Sequence, residues 1–243
     1  MAAASDSTNS TTQCALNAQS LSRRLSGDME VQDISLSLAR GDIVGLLGLN
    51  GAGKSTTLRM LSGVLLPDKG TVSINGFSMS EQPLLARSEL GYLPDTPPLY
   101  DDMRVSEYLT FTGKVRALKS NALSKRLGIV IEQCMLGSVQ RQLIGSLSKG
   151  FRQRVGLAQA IIHEPALLLL DEPNNGLDPQ QLDSMRQLIK EISQNSAVLL
   201  STHLLAEAQS LCNRVAIMHR GKLVADRPAN GADLADVFQA AIQ

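Results

Sequence analysis

The sequence predicts an α/β fold, a mostly parallel sheet covered on both faces, with a helical insertion in its middle. Three observations carry this. Short, almost wholly apolar runs such as IVGLL, ALLLL and AVLLS have the length and composition of buried parallel strands. Amphipathic helical patterns alternate with them, as strand–helix–strand units require. From about Leu84 to Glu164 strand signals nearly vanish and helical patterns follow one another.

Taken in order, CALNAQSLS is a weak first strand, and MEVQDISLSLA places Val31, Ile34, Leu36 and Leu38 on one face of a second. IVGLL, residues 43–47, is a third strand running into glycine-rich sequence, and STTLRMLSGVL continues as a helix. TVSING ends a further strand in a turn at Asn75-Gly76. Within the insertion, about 84–164, VSEYLTFTGKVRAL, ALSKRLGIVIEQCML and FRQRVGLAQAII read as helices. After Pro165 the alternation resumes. ALLLL is a strand, and PQQLDSMRQLIKEI a helix with Leu182, Met185, Ile189 and Ile192 on one face. The remaining elements are the strand AVLLS, the helix HLLAEAQSLC, the strands RVAIM and GKLV, and the helix GADLADVFQAAI. Residues 14–243 are read as one domain. MAAASDSTNSTTQ, residues 1–13, lacks a basic start followed by an apolar segment and is read as a flexible tail, not a signal peptide.

The totals narrow the function. The chain has 243 residues, 43% hydrophobic and 19% charged, enough apolar content for a real core. Lys and Arg number 23, as do Asp and Glu, so no global field draws nucleic acid or an anionic surface. No nucleic-acid partner is expected, and anions must be held by a local site. Cys14, Cys134 and Cys212 are far apart, as suits buried free thiols in a reducing compartment. No apolar run reaches the length of a membrane span, and a cytosolic chain is expected.

GLNGAGKS, residues 48–55, has the spacing of a phosphate loop, with a strand before it and a helix after it. Gly48, Gly51 and Gly53 allow the backbone to turn its N–H groups inward around phosphate oxygens. Lys54 is placed for the β- and γ-phosphates, and the Ser55 hydroxyl for Mg²⁺. ALLLLDEP ends a buried strand in Asp171 and Glu172, at the sheet edge where the phosphate loop also emerges. Asp171 suits the metal, and Glu172 an attacking water. His203, at the end of AVLLST, reaches the same crevice. His163 and His219 have no such placement and keep a structural reading.

Together these motifs resemble the nucleotide-binding subunits of ABC transporters. GLNGAGKST looks like the Walker A loop, LLLLDE like Walker B, GLDP (176–179) like the D-loop and STH (201–203) like the switch histidine. LSKGFRQRV, residues 147–155, stands where that family carries its LSGGQ signature. The likeness runs from about Cys14 to about Val224. LGYLPDTPPLYDDMRVSEYL most resembles exporter ATPases of the gliding-motility and polysaccharide or drug-export branch.

The resemblance implies a P-loop NTPase (RecA-like) core with a parallel sheet, a small antiparallel β part and an inserted α-helical subdomain. It implies ATP and Mg²⁺ as cofactors. ATP is to be held by Gly48, Asn50, Gly51, Ala52, Gly53, Lys54, Ser55 and Thr56, and the metal by Ser55, Asp171 and Asp95. Glu172 and His203 are the implied catalytic residues. It further implies a head-to-tail dimer of ATPase subunits, identical or related, with two ATP molecules between them. Ser148 and Gly150 would reach the other subunit's γ-phosphate, and Asp178 would link the two sites. Asp178 also has a local task, because Asp-Pro before amphipathic sequence is a helix N-cap. The partner that moves the substrate would be an integral membrane permease on another chain, docked around Asp95–Tyr108. That places the protein peripherally on the cytoplasmic face of the cell membrane.

The sequence departs from the family pattern at three places. Leu25 stands where an adenine-stacking aromatic belongs. Asp95 replaces the glutamine that follows GYLP, which predicts slower or differently coupled hydrolysis. Lys149 and Phe151 replace a glycine and a glutamine of the signature. A soluble ABC ATPase of DNA repair or translation is the rival reading. It is disfavoured by the absence of a coiled-coil insertion, a tandem ATPase domain or a basic excess. A GTPase or nucleotide kinase would leave LSKGFRQRV without a task.

Overall fold

The computed structural model describes residues 14–25, 30–175, 177–231 and 233–242. Strands β1 (Cys14–Arg24), β2 (Glu30–Ala39) and β3 (Ile43–Leu47) come first, then helix α1 (Lys54–Leu61). β4 (Lys69–Ile74), β5 (Phe77–Ser78), α2 (Pro83–Ser88) and β6 (Leu90–Leu93) follow. Three helices come next, α3 (Val105–Val115), α4 (Ser120–Gln133) and α5 (Lys149–Ile161). The chain continues as β7 (Leu167–Asp171), α6 (Pro179–Ser193), β8 (Ala197–Thr202) and α7 (Leu205–Leu211). It finishes with β9 (Arg214–His219), β10 (Lys222–Pro228) and α8 (Leu234–Ile242). The flexible tail expected for residues 1–13 lies outside the described residues.

Six strands form the main sheet in the order β10-β9-β3-β8-β7-β6, parallel except for β10. Its central strands bury both faces, as their apolar runs require. On β7, Leu168 and Leu170 enter one core while Leu167 and Leu169 enter the other. The first core is closed by α3 to α8. The second is closed by α1 and a smaller antiparallel sheet, β2-β1-β4-β5. Val31, Ile34, Leu36 and Leu38 of β2 are all buried. The three-residue step from Val31 to Ile34 breaks strict alternation. Asp33, at φ 52°, and register shifts in the β1–β2 pairing absorb the extra residue. Asn75 and Gly76, both at positive φ, make the predicted turn between β4 and β5.

The interval about 84–164 differs from the sequence prediction. Its start belongs to α2 and to β6, which pairs parallel with β7. The run of long helices begins only at Val105. The thiols also divide: Cys134 and Cys212 are buried as expected, whereas Cys14 is exposed. Among the described residues, no helix is long and apolar enough to cross a membrane.

Register places the functional ends of the sheet side by side. Leu47 pairs with Thr202, and Asp171 with Ser201, so the segments after β3, β7 and β8 leave one edge together.

Candidate functional site

β3 delivers the chain to Gly48, where a Cβ would lie 2.4 Å from the Met218 carbonyl oxygen. The loop then turns through Gly51 (φ 81°) and Gly53 (φ 102°), a left-handed region that side chains disfavour. Thr57 closes the first turn of α1 back onto Gly53, through its N–H at 2.9 Å and its hydroxyl at 3.0 Å. The amide end of the helix therefore opens beside the loop, which suits an anion. Lys54 is only 6% exposed. Its Nζ donates to the carbonyl oxygens of Gly48 (2.8 Å) and Leu49 (3.3 Å), and lies 3.5 Å from Glu172 Oε1.

The two carboxylates part company at the end of β7. Asp171 is buried, and its Oδ1 accepts from the hydroxyls of Ser55 (3.0 Å) and Ser201 (2.7 Å). Glu172 turns outward at φ 47°, an uncommon conformation for a residue with a side chain. Its N–H donates to Ser201 Oγ at 2.9 Å. Its Oε2 meets His203 Nδ1 at 3.1 Å. A carboxylate only accepts, so the histidine proton in this contact sits on Nδ1.

A cleft of about 490 Å³ gathers these groups. Asn50, Gly51, Gly53, Lys54, Ser55 and Thr56 form one wall, and Asp95, Glu172 and His203 face it. Asn175, which the sequence did not single out, also lines the cleft and donates to Asp95 Oδ1 at 3.2 Å. Ala52 instead lines an adjoining hollow with Glu30, Gln32 and Arg220. Asp171 lies beneath the cleft, reaching it through Ser55. Leu25 follows the end of β1 and is half-buried. Ser201 was legible only as part of STH; its hydroxyl, bonded to both acidic residues, is a tertiary fact.

Ser148, Gly150 and Asp178 line neither the cleft nor the adjoining hollow. Ser148 is exposed and caps α5, its Oγ accepting from the Phe151 N–H at 3.4 Å. Asp178 caps α6 by accepting from the Gln181 N–H at 3.0 Å. Gly150 adjoins Gln181 so closely that a Cβ would lie 2.0 Å from Gln181 Oε1. The signature turn and the start of α6 thus touch each other, away from Lys54 and Glu172. Phe151 packs against the larger core, and Lys149 is exposed.

The sequence profile of the ABC transporter family matches residues 31–175. The uncharacterized ABC transporter ATP-binding protein YxlF of Bacillus subtilis is 38% identical over 208 residues, covering 86% of this chain and 69% of that protein. The bacitracin transport ATP-binding protein BcrA of Bacillus licheniformis is 37% identical over 213 residues, covering 86% and 68%. A solved structure described as the ATP-binding subunit of an ABC transporter has a TM-score of 0.85 at 30% identity. That likeness covers 93% of this chain and 99% of the other.

Proposed function

Because this chain belongs to the ABC transporter family, as an ATP-binding subunit and an ATPase, we propose that it drives export through a permease on another chain. It does so by closing with a second ATPase subunit around ATP and reopening on hydrolysis. One observation carries this reading. The groups suited to phosphate are split between two places, the cleft around Lys54 and the separate turn around Ser148 and Gly150. A second subunit packed head to tail brings its own signature turn to this cleft. The name of BcrA, a transport protein, supports the transport role.

In the cleft, the backbone N–H groups of residues 51–56 and the Lys54 amine bind the phosphates. Lys54 exchanges its Glu172 contact for phosphate oxygens as they arrive. The Ser55 hydroxyl and the Asp171 carboxylate, 3.0 Å apart, are hard oxygen donors that fit Mg²⁺, with Asp95 within the same cleft. Bound there, Mg²⁺ supplies positive charge to the phosphate oxygens. Glu172 accepts the proton of the attacking water, and His203 holds the carboxylate in line from its other side. Ser148 and Gly150 serve the second subunit's nucleotide, and Asp178 stands beside them through Gln181.

The docking surface for the permease lies around Asp95–Tyr108. Tyr100 is 56% exposed and Phe111 42%, and their rings touch at 5.9 Å. Buried Tyr108 supports them, edge-on to Tyr100 at 5.8 Å. Such docking places the protein on the cytoplasmic face of the cell membrane.

The test is Glu172→Gln. It should bind ATP as the wild type does, because incoming phosphate replaces the charge that Lys54 loses. Its turnover should fall on the order of 10²- to 10⁴-fold, the usual worth of a general base. Undiminished hydrolysis would remove Glu172 from the mechanism.

A further inference from the structure

Glu207, in α7, is a carboxylate that the fold hides, only 6% exposed. A buried charge is costly unless hydrogen bonds hold it. Its Oε2 accepts from Thr202 Oγ1 at 2.5 Å, and its Oε1 from Asn174 Nδ2. Thr202 Oγ1 in turn accepts from the Leu204 N–H at 3.1 Å. One side chain therefore holds two separate turns. Asn174 lies two residues after Glu172, while Thr202 and Leu204 flank His203. Strand pairing between β7 and β8 ends at Asp171 and Ser201. Beyond it, Glu172 and His203 still meet at 3.1 Å.

We propose that Glu207, together with Asn174, is a positioning residue for hydrolysis. It locks the turn carrying Glu172 to the turn carrying His203 from behind, and touches no nucleotide. Neither residue is among those lining the cleft. The proposal rests on Glu172 being the base.

The chemistry distinguishes substitutes. Alanine removes both acceptors. Glutamine keeps an oxygen for the Thr202 hydroxyl and adds an amide. The Asn174 amide oxygen is buried and has no partner among the described residues. Turned over, Asn174 offers that oxygen to the new amide, so glutamine restores the bridge.

The experiment measures ATP affinity, kcat and thermal stability for Glu207→Ala, Glu207→Gln and Asn174→Ala. Glu207→Ala should bind ATP as the wild type does and lose kcat on the order of 10- to 100-fold, the effect of displacing a reacting group by a fraction of an ångström or more. Glu207→Gln should keep most of the rate. Asn174→Ala should reproduce the loss, and the double alanine variant should be no worse than either single, because one missing partner already frees the turn. Wild-type kcat in folded Glu207→Ala would overturn the proposal. So would a glutamine variant as slow as alanine, or ATP affinity falling in step with kcat. If Glu207→Ala does not fold, Asn174→Ala and Glu207→Gln decide between the same outcomes. Undiminished turnover in Glu172→Gln would instead strike the reading beneath, whereas an inactive Glu172→Gln beside a normal Glu207→Ala would strike only this role.

Discussion

Glu172 divides its two oxygens between Lys54 Nζ at 3.5 Å and His203 Nδ1 at 3.1 Å, and it is 15% exposed. Lys54 is hidden better still, so each charge depends on its neighbours. In the proposed mechanism a triphosphate takes the carboxylate's place beside Lys54 and leaves Glu172 to the water. His163 shows the opposite case, a titratable side chain with no role in the reaction. Its Nε2 lies 3.0 Å from the Leu90 carbonyl, so the proton is on Nε2, and buried Nδ1 has no partner among the described residues. Burial, reinforced by Arg116 and Arg126, lowers its pKa from 6.5 to about 4. The unfolded chain therefore binds a proton between these values that the folded chain refuses. Stability is complete above about pH 6.5 and declines as pH falls toward about 4, by roughly 3 kcal/mol. Denaturation curves of His163→Gln should lose less stability than wild type between pH 7 and 4.5; parallel losses would show that His163 titrates normally in the fold. Burial also pushes the Cys134 and Cys212 thiols up to about 12, so neither is a ready nucleophile.

Helix α5 links the signature turn to the cleft. Ser148 caps it, and its body lies on β6 at a spacing set by glycines. A Cβ on Gly91 would lie 2.2 Å from the Ala160 carbonyl oxygen, and one on Gly156 would press on Leu93 and Pro97 at 2.7–2.8 Å. β6 leads directly to Asp95, so the signature helix and the Asp95 segment share one rigid contact. Gly91→Ala should cost about 1–3 kcal/mol, as overpacking does, read as a lower midpoint in urea; an unchanged midpoint would mean that the contact is loose. This strand was not legible in the sequence. LGYL has four residues, and its glycine and tyrosine interrupt the apolar run that made β3, β7 and β8 plain. As an edge strand it needs only β7 as a partner. The phosphate loop, Glu172 and His203 were legible because each motif is local and its residue types have few other uses together. Asn175, Ser201 and Glu207 were not. Their meaning comes from strand register and from contacts across some thirty residues or more, such as Asn174 to Glu207 and Asn175 to Asp95.

Across the whole molecule, two cores press on one sheet, and the cleft opens where β3, β7 and β8 end. Both the Asp95 segment and α5 touch β6, so a partner seated on Tyr100 and Phe111 would act on the cleft and the signature turn together. Tyr100→Asp with Phe111→Asp should leave the isolated subunit's ATP turnover near the wild-type value and abolish co-purification with the proposed membrane permease; retained permease would place the docking surface elsewhere. The head-to-tail pairing is tested most directly by the mass of Glu172→Gln in solution. With saturating ATP and Mg²⁺ the expected species is a dimer, which reverts to monomer without nucleotide and fails to form when Ser148→Arg is added. A monomer at saturating ATP, in a chain whose wild type hydrolyses normally, would contradict the shared site.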